Sequence, residues 1–512
     1  MDGPRVERRG PRAWRGHPSL ERTALWSLVV VLMGAIALVL TMPATGDAAF
    51  FTSSVWAIAH GHLSCAYPPK VGPAFAVPMT YIAPLYPLLG GLLAGIARVG
   101  SSVTFPSAAA MGPHCTGALV AIYRWSQATH AAVTTARLGL VTLVPLVLAV
   151  VAHPVAAAPR ARRVEMGSAL LVLTSLPILS AFSQYAHPQD VLAAALAWLG
   201  VAAAIRQRWT AAGVALGLAV ASNQVALLAA IVVVLAIEVG GRRRLVAAAA
   251  AAVGVVYLPL LVAGGPHSWA AILAGSGFNN SLGGTVVWEM GLPTLLKYAV
   301  SRGAALVAAV ALVWWFRRRH PGPIEPATMV ALVTIGFSLR LVFEANLWGY
   351  YYIPVVLGLI ILDRRRGRIR AGTIAWSLVQ LALYDWLWIG SDRPSFLLES
   401  WPLYLGQMVA AAVVAFGALR ALRQRRDRAA WLTALIIYGL AFVASPHLWH
   451  TRVMFWPVWL VQLILVPWAI GLAWSGRDPS SRVPADGPST VRRLVGHLAQ
   501  WDPGSDRGTL GG

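Results

Sequence analysis

The sequence predicts an all-α protein that crosses a lipid bilayer many times, and three observations carry that expectation. Of its 512 residues, 58% are hydrophobic and only 12% are charged, about half the roughly 25% charged share of a soluble domain. Apolar runs of about 17–25 residues recur along the chain, each long enough to cross roughly 30 Å of hydrocarbon as a helix. Helices are the expected spans because lipid offers no partner to a backbone N–H or C=O. Arginine gathers between those runs: Arg160, Arg162 and Arg163; Arg242 to Arg244; Arg317 to Arg319; Arg364 to Arg366; Arg423, Arg425 and Arg426. Such clusters mark cytoplasmic loops. The net charge of +22 is thus distributed in short clusters between apolar runs, which argues against a nucleic-acid partner, since that would call for a basic patch or stripe on one face.

Taken in order, residues 1–23 carry Arg5, Arg8, Arg9, Arg12, Arg15 and Arg22 and read as a disordered cytoplasmic tail. Residues 24–42 form the first span. A signal peptide is the alternative, but no convincing small-residue cleavage site precedes Asp47 and many spans follow. The N-terminus is therefore expected inside. The next cytoplasmic marker, Arg160 to Arg163, follows a span at about 134–153. Parity then places 43–133 outside as one large extracytoplasmic loop with short amphipathic helices. Its apolar stretch 85–99 has no partner crossing and is expected to pack on or dip into the membrane, with a crossing left open. Cys65 and Cys115 share the outer face in this topology, and a disulfide between them is expected there; two free buried thiols are the alternative.

Further spans fall near 167–183, 191–205, 210–222, 225–239, 245–263, 295–316, 327–343, 350–362, 371–390, 402–420, 429–445 and 454–475, about 12–14 in all. The pieces at 210–222 and 225–239 are short and meet at Ser222, Asn223 and Gln224, as a pair of half-length helices would. Trp314, Trp315, Trp348, Tyr350 to Tyr352, Trp386, Trp388, Trp449 and Trp456 sit near span ends, where aromatic belts form. The membrane-embedded part thus covers 24–475. Residues 476–512 read as a cytoplasmic tail. Within it, Val491, Leu494, Val495, Leu498 and Trp501 share one helical face, so 489–501 suits an interfacial helix.

The candidate site residues lie on the outer side. Asp47, in Thr45–Gly46–Asp47, is the lone carboxylate of the first loop. An acid at the membrane boundary is a functional candidate, here a general base taking a proton from an attacking hydroxyl. It also suits an N-cap of the run Ala48–His60. His187, Gln189 and Asp190 join two spans, where Asp190 alternatively caps the next helix. Arg340, Glu344 and Asn346 close a span ahead of Tyr351. Arg340 and Glu344 have the spacing of a local ion pair, and the planar guanidinium also suits phosphate oxygens. Lys297 is one of only two lysines and is a candidate point charge for a lipid phosphate. No zinc spacing occurs; no metal and no cofactor is expected. No Walker, dinucleotide or nucleophile-elbow pattern occurs. Asn279–Asn280–Ser281 matches a glycosylation sequon in form.

These parts together resemble a GT-C-class multi-spanning glycosyltransferase, and more narrowly the actinobacterial polyprenol-phosphate-mannose-dependent mannosyltransferases. Three features over about residues 24–365 carry the resemblance. The first is Thr45–Gly46–Asp47 with Gly61, Tyr67–Pro68–Pro69 and Pro84–Leu85–Tyr86–Pro87 in one outer loop. The second is His187–Pro188–Gln189–Asp190, then Arg206–Gln207–Arg208–Trp209 through Gly213 and Gly217. The third is Arg340, Phe343–Glu344 and Tyr350–Tyr351–Tyr352 with Pro354. The resemblance implies a polyprenyl-phosphate sugar as donor, a hydroxyl of a cell-envelope glycan or glycolipid as acceptor, inversion at the anomeric carbon, and Asp47 as the catalytic carboxylate. It implies the plasma (inner) membrane, both termini inside and the active site outside. The chain departs from the pattern in having no second acid in that loop, and in Gln189, where relatives show Glu. A transporter or lipid-linked sugar flippase is the rival; it would use polar residues and broken helices near the midplane, for which Ser222 to Gln224 is the best place.

Overall fold

A computed structural model of the chain describes residues 46–67, 83–97, 103–129, 131–155, 161–173, 187–274, 290–344, 349–378, 428–436 and 456–475, with a few isolated positions between them. The expected first span, both tails, the interfacial helix at 489–501 and most of 379–455 lie outside those residues. The described residues form helices and turns with no strand. Among the described residues, four helices are long and apolar enough to cross a membrane: Pro188–Ile205, Val239–Gly265, Ala299–Arg319 and Pro326–Phe343. This is the pattern of an all-α polytopic membrane protein.

The outer-loop region contributes α1 (Gly46–Ala59), α2 (Leu85–Ala97), α3 (Ala118–Thr129) and α4 (Ala131–Leu138). α2 falls on the stretch whose crossing was left open. Its 13 residues rise about 20 Å, short of a hydrocarbon core. It packs along α1, where Gly90 and Gly91 face Val55 and Ile58. Trp56 Nε1 donates to Thr135 Oγ1 at 3.1 Å, tying α1 to α4. Cys65 and Cys115 are disulfide-bonded with their Cα atoms 5.3 Å apart, each in a single 3-10 turn. His114 and Cys115 both take positive φ, 54° and 61°.

The bundle follows with α5 (Leu143–Val151), α6 (Ala161–Leu173), α7 (Pro188–Ile205), α8 (Trp209–Ser222), α9 (Leu227–Ala236), α10 (Val239–Ala274), α11 (Thr294–Arg319), α12 (Pro326–Phe343), α13 (Ile353–Arg365) and α14 (Trp456–Ser475). α7 is its axis. It packs on α5, α8 and α13. Trp198, fully buried, donates Nε1–H to Pro354 O at 3.0 Å.

The short spans at 210–222 and 225–239 are α8 and α9, 14 and 10 residues long. They rise only about 21 and 15 Å. Asn223 between them is extended, at φ −156° and ψ 129°. The span placed at 245–263 starts earlier, at Val239, so Arg242 to Arg244 lie inside α10 and not in a loop. The cause is a local C-cap. Arg242 donates Nη2–H to Leu235 O at 3.1 Å and to Ile237 O at 3.0 Å, satisfying the terminal carbonyls of α9.

Gly213 and Gly217 were quoted above only as part of a family pattern. Four apart, they share one face of α8 and meet α10 at the backbone of Leu245 and Ala249, with Ala248 and Ala252 alongside. Small residues at this spacing let helix backbones approach closely in a membrane. A side chain here has nowhere to go, because the atoms in its way belong to a helix backbone. Gly217→Val should therefore destabilise the protein by about 1–3 kcal/mol or more. Gly254→Ala, whose Cβ meets nothing within 4 Å, should leave stability unchanged. Thermal unfolding of both variants in one detergent checks the contrast.

Candidate active site

The site is built at the first turn of α7. Pro188 takes the first helical position, where its missing N–H is harmless. The residue before it, His187, is the N-cap. Asp190 therefore does not cap this helix; it lies in the first turn, where a carboxylate is favoured by the helix dipole. Likewise Asp47 does not cap α1, because the helix already includes Gly46. The backbone of Asp47 is helical, and its side chain lies outside what the structure describes.

His187, Gln189 and Asp190 are all buried, at 4%, 2% and 7% exposure. His187 Nδ1 lies 2.7 Å from Gln189 Nε2 and 3.3 Å from Asp190 Oδ2. Unprotonated, it accepts from the amide; protonated, it faces the carboxylate. The imidazole stacks on Tyr350 at 4.1 Å. Asn223 donates Nδ2–H to Asp190 Oδ1 at 2.6 Å, while its Oδ1 accepts from Val225 N–H at 3.0 Å. Ser222 Oγ donates to Gln189 O at 2.9 Å. The break between the two half-length helices is thus fastened to the start of α7.

Arg340 enters from the last turn of α12. Its Nε donates to Glu344 Oε2 at 2.7 Å, and both side chains are only 12% exposed. The expected ion pair is therefore formed, and it leaves the two amino groups of the guanidinium outside that contact. The guanidinium carbon lies 4.0 Å from the centre of the Tyr351 ring, a cation–π contact. Ser301 Oγ donates to Glu344 Oε1 at 3.5 Å, bringing in α11. Asp190, Asn223, Arg340, Tyr350, Tyr351 and Pro354 line one small cleft of about 10 Å³, room for about one water. Gln189 Oε1 and Asp190 Oδ2 are buried in the first turn of α7 without a hydrogen-bond donor among the described residues. Buried acceptors of this kind are costly unless something donates to them.

Six of the expected residues thus meet: His187, Gln189, Asp190, Arg340, Glu344 and Tyr351. Lys297 lies on α11 one turn before Ser301, half-buried, and is not among the residues lining the cleft. Asn346 lies outside the described residues. Among the described residues, no group of three or more His, Cys, Asp or Glu could hold a metal ion. Sequence reasoning missed Ser301, considered Asn223 only for the rival transporter reading, and quoted Tyr350 only within a family pattern. Asn223 had a usable signal, an amide at a break between apolar helices; Ser301 had none.

Asp190→Leu removes the acceptor for Asn223 Nδ2. It should cost about 1–3 kcal/mol, whereas Asp190→Asn, which can keep an oxygen there, should cost less. Denaturation midpoints of the two variants in detergent read this directly, and equal losses would refute the role given to that hydrogen bond.

No protein-family model matches the chain, and no curated protein matches it. Among solved structures it is similar to ArnT from Cupriavidus metallidurans bound to undecaprenyl phosphate, at 15% identity and a TM-score of 0.45, covering 90% of this chain and 79% of that one. It is also similar to the arabinosyltransferase EmbB from Mycobacterium smegmatis, at 12% identity and a TM-score of 0.34, covering 97% of this chain and 44% of that one. Both likenesses are too slight to carry a fold or a function across.

Proposed function

We propose that the chain is a GT-C-class glycosyltransferase that moves a sugar from a polyprenyl-phosphate donor to a hydroxyl of an envelope glycan or glycolipid. One observation carries this reading. The motif at 187–190 and the motif at 340–354, separate in sequence, close around a single cleft. Its chemistry suits the substrate. The Asp190 carboxylate and the Asn223 amide fit sugar hydroxyls, and the amino groups of Arg340 left outside the Glu344 contact fit a lipid phosphate. The cleft has room for about one water as it stands, so binding of a sugar requires it to open.

The direction of the helices supports an outer-face site. α7 runs from His187 to Arg206, and α13 runs from the tyrosine turn to Arg364 and Arg365. α8 begins after Arg208 and ends at Ser222. α11 ends at Arg317 to Arg319, and α12 then returns towards Arg340. In each case the site end is opposite the arginine-rich end, which belongs in the cytoplasm. The Cys65–Cys115 disulfide fits an oxidising outer face.

In this reading Asp47 accepts the proton of the acceptor hydroxyl as its oxygen attacks the anomeric carbon. The C–O bond to the lipid phosphate breaks, the configuration inverts, and the phosphate leaves with the electron pair. Arg340, with Lys297 as a further candidate, offsets the charge developing on that phosphate. Asp47→Asn should cut sugar transfer from radiolabelled polyprenyl-phosphate sugar by about 10²-fold or more while leaving thermal stability unchanged; wild-type transfer by that variant removes Asp47 as the base. The buried Asp190 beside the helix break at Asn223 is also what a transporter or flippase would use. Vesicle transport of the lipid-linked sugar without any transfer would select that second reading.

A further inference from the structure

The outer loop holds a second, larger cavity that the proposed transfer site does not use. It encloses about 330 Å³, a volume typical of small-molecule pockets. His62, Ser64, Tyr67 and His114 supply its polar atoms, and the Cys65–Cys115 disulfide forms part of its wall. Ala263 and Gly264 close it from α10. α10 carries Arg242 to Arg244 near its start, so the cavity lies at the opposite end of that helix, on the same side as the transfer site. Among the described residues, no carboxylate, lysine or arginine lines it. Burial, and then Tyr257, push the Tyr67 hydroxyl well above its usual pKa, so it remains a neutral donor at pH 7.

Position adds a second constraint. α1 runs from the Asp47 end to the turn that presents His62. From Asp47 to Ala59 it rises roughly 18 Å, so a molecule in the cavity is far too distant to be the group that reacts. The backbone there is built and not incidental. The disulfide fastens the His62 turn to the His114 turn, and His114 and Cys115 are held at positive φ, a conformation that surrounding structure must impose.

We infer that this cavity is a distal subsite for the acceptor, holding a neutral sugar residue of an extended glycan several residues away from the hydroxyl that is glycosylated. The inference rests on the transferase reading for its role, though not for the binding itself. A lining of hydroxyl and imidazole groups hydrogen-bonds to polyols, and among the described residues it offers no lysine or arginine to pair with a phosphate or carboxylate. The acceptor is then an oligomer, and a free monosaccharide or short glycoside is a poor one.

The test uses the full chain in nanodiscs, with neutral mannohexaose and an arabinofuranosyl hexasaccharide as probes and the matching methyl glycosides as short controls. Saturation-transfer NMR should show one hexasaccharide bound. Ala263→Phe, which fills the cavity from the α10 side, and His62→Ala should each weaken it at least tenfold. His114→Asn, which tolerates positive φ, should weaken it while keeping the loop folded. In transfer assays Ala263→Phe should raise KM for the hexasaccharide and leave kcat unchanged. Failure of both hexasaccharides to bind overturns the inference, as does wild-type binding by Ala263→Phe. Binding that depends on Ala263 in a chain that transfers no sugar keeps the subsite and removes the transferase. Transfer to a hexasaccharide with an unchanged KM in Ala263→Phe keeps the transferase and removes the subsite.

Discussion

A carboxylate placed at the start of an enclosed helix has few ways to be stable. Asp190 is 7% exposed on α7, a helix buried along most of its length. Desolvating a charge without partners costs several kcal/mol. The protein answers with the Asn223 amide on one oxygen, the imidazole of His187 near the other, and the Arg340 guanidinium across the cleft. Each of those partners is itself held by another element. Asn223 is fixed by the break between α8 and α9, and Arg340 by Glu344 and the Tyr351 ring. Removing the acid would take away the bond that fastens the α8–α9 break to the start of α7.

The same helices serve a different purpose at their other ends. Arg364 donates from Nε to His153 O at 3.1 Å and from Nη1 to Ser168 Oγ at 2.6 Å. Arg242 and Arg317 both reach Ile237 O at the close of α9. Arginine here finishes helices by satisfying carbonyls that have no intrahelical partner. The arginine clusters thus do structural work in addition to marking orientation. α7 separates the two polar ends by roughly 27 Å of helix, close to the thickness of a hydrocarbon core. Between them the packing is apolar and tight, with Gly213 and Gly217 allowing two backbones to touch.

The outer loop is organised on different terms. Its elements are short, and they are joined by a covalent bond and by side-chain hydrogen bonds such as Trp56 to Thr135 and Ser54 to Ala66 O. Among the described residues, a tight cleft with Asp190 and Arg340 in its wall lies at the head of α7, and a roomier one lies beside the disulfide.

Composition and the spacing of apolar runs were enough to determine a helical membrane protein, because lipid forces every spanning backbone to satisfy itself and an apolar run of that length has no other use. The arginine clusters were enough to propose an orientation, and local spacing was enough to pair Arg340 with Glu344. The tertiary structure alone decided that residues near 190, 223, 301, 340 and 350 converge, that Asp190 sits inside a helix turn instead of capping it, and that Gly213 and Gly217 mark a helix contact. Those outcomes depend on which helix faces meet, a property of packing between segments far apart in sequence, and no periodicity within one segment encodes it.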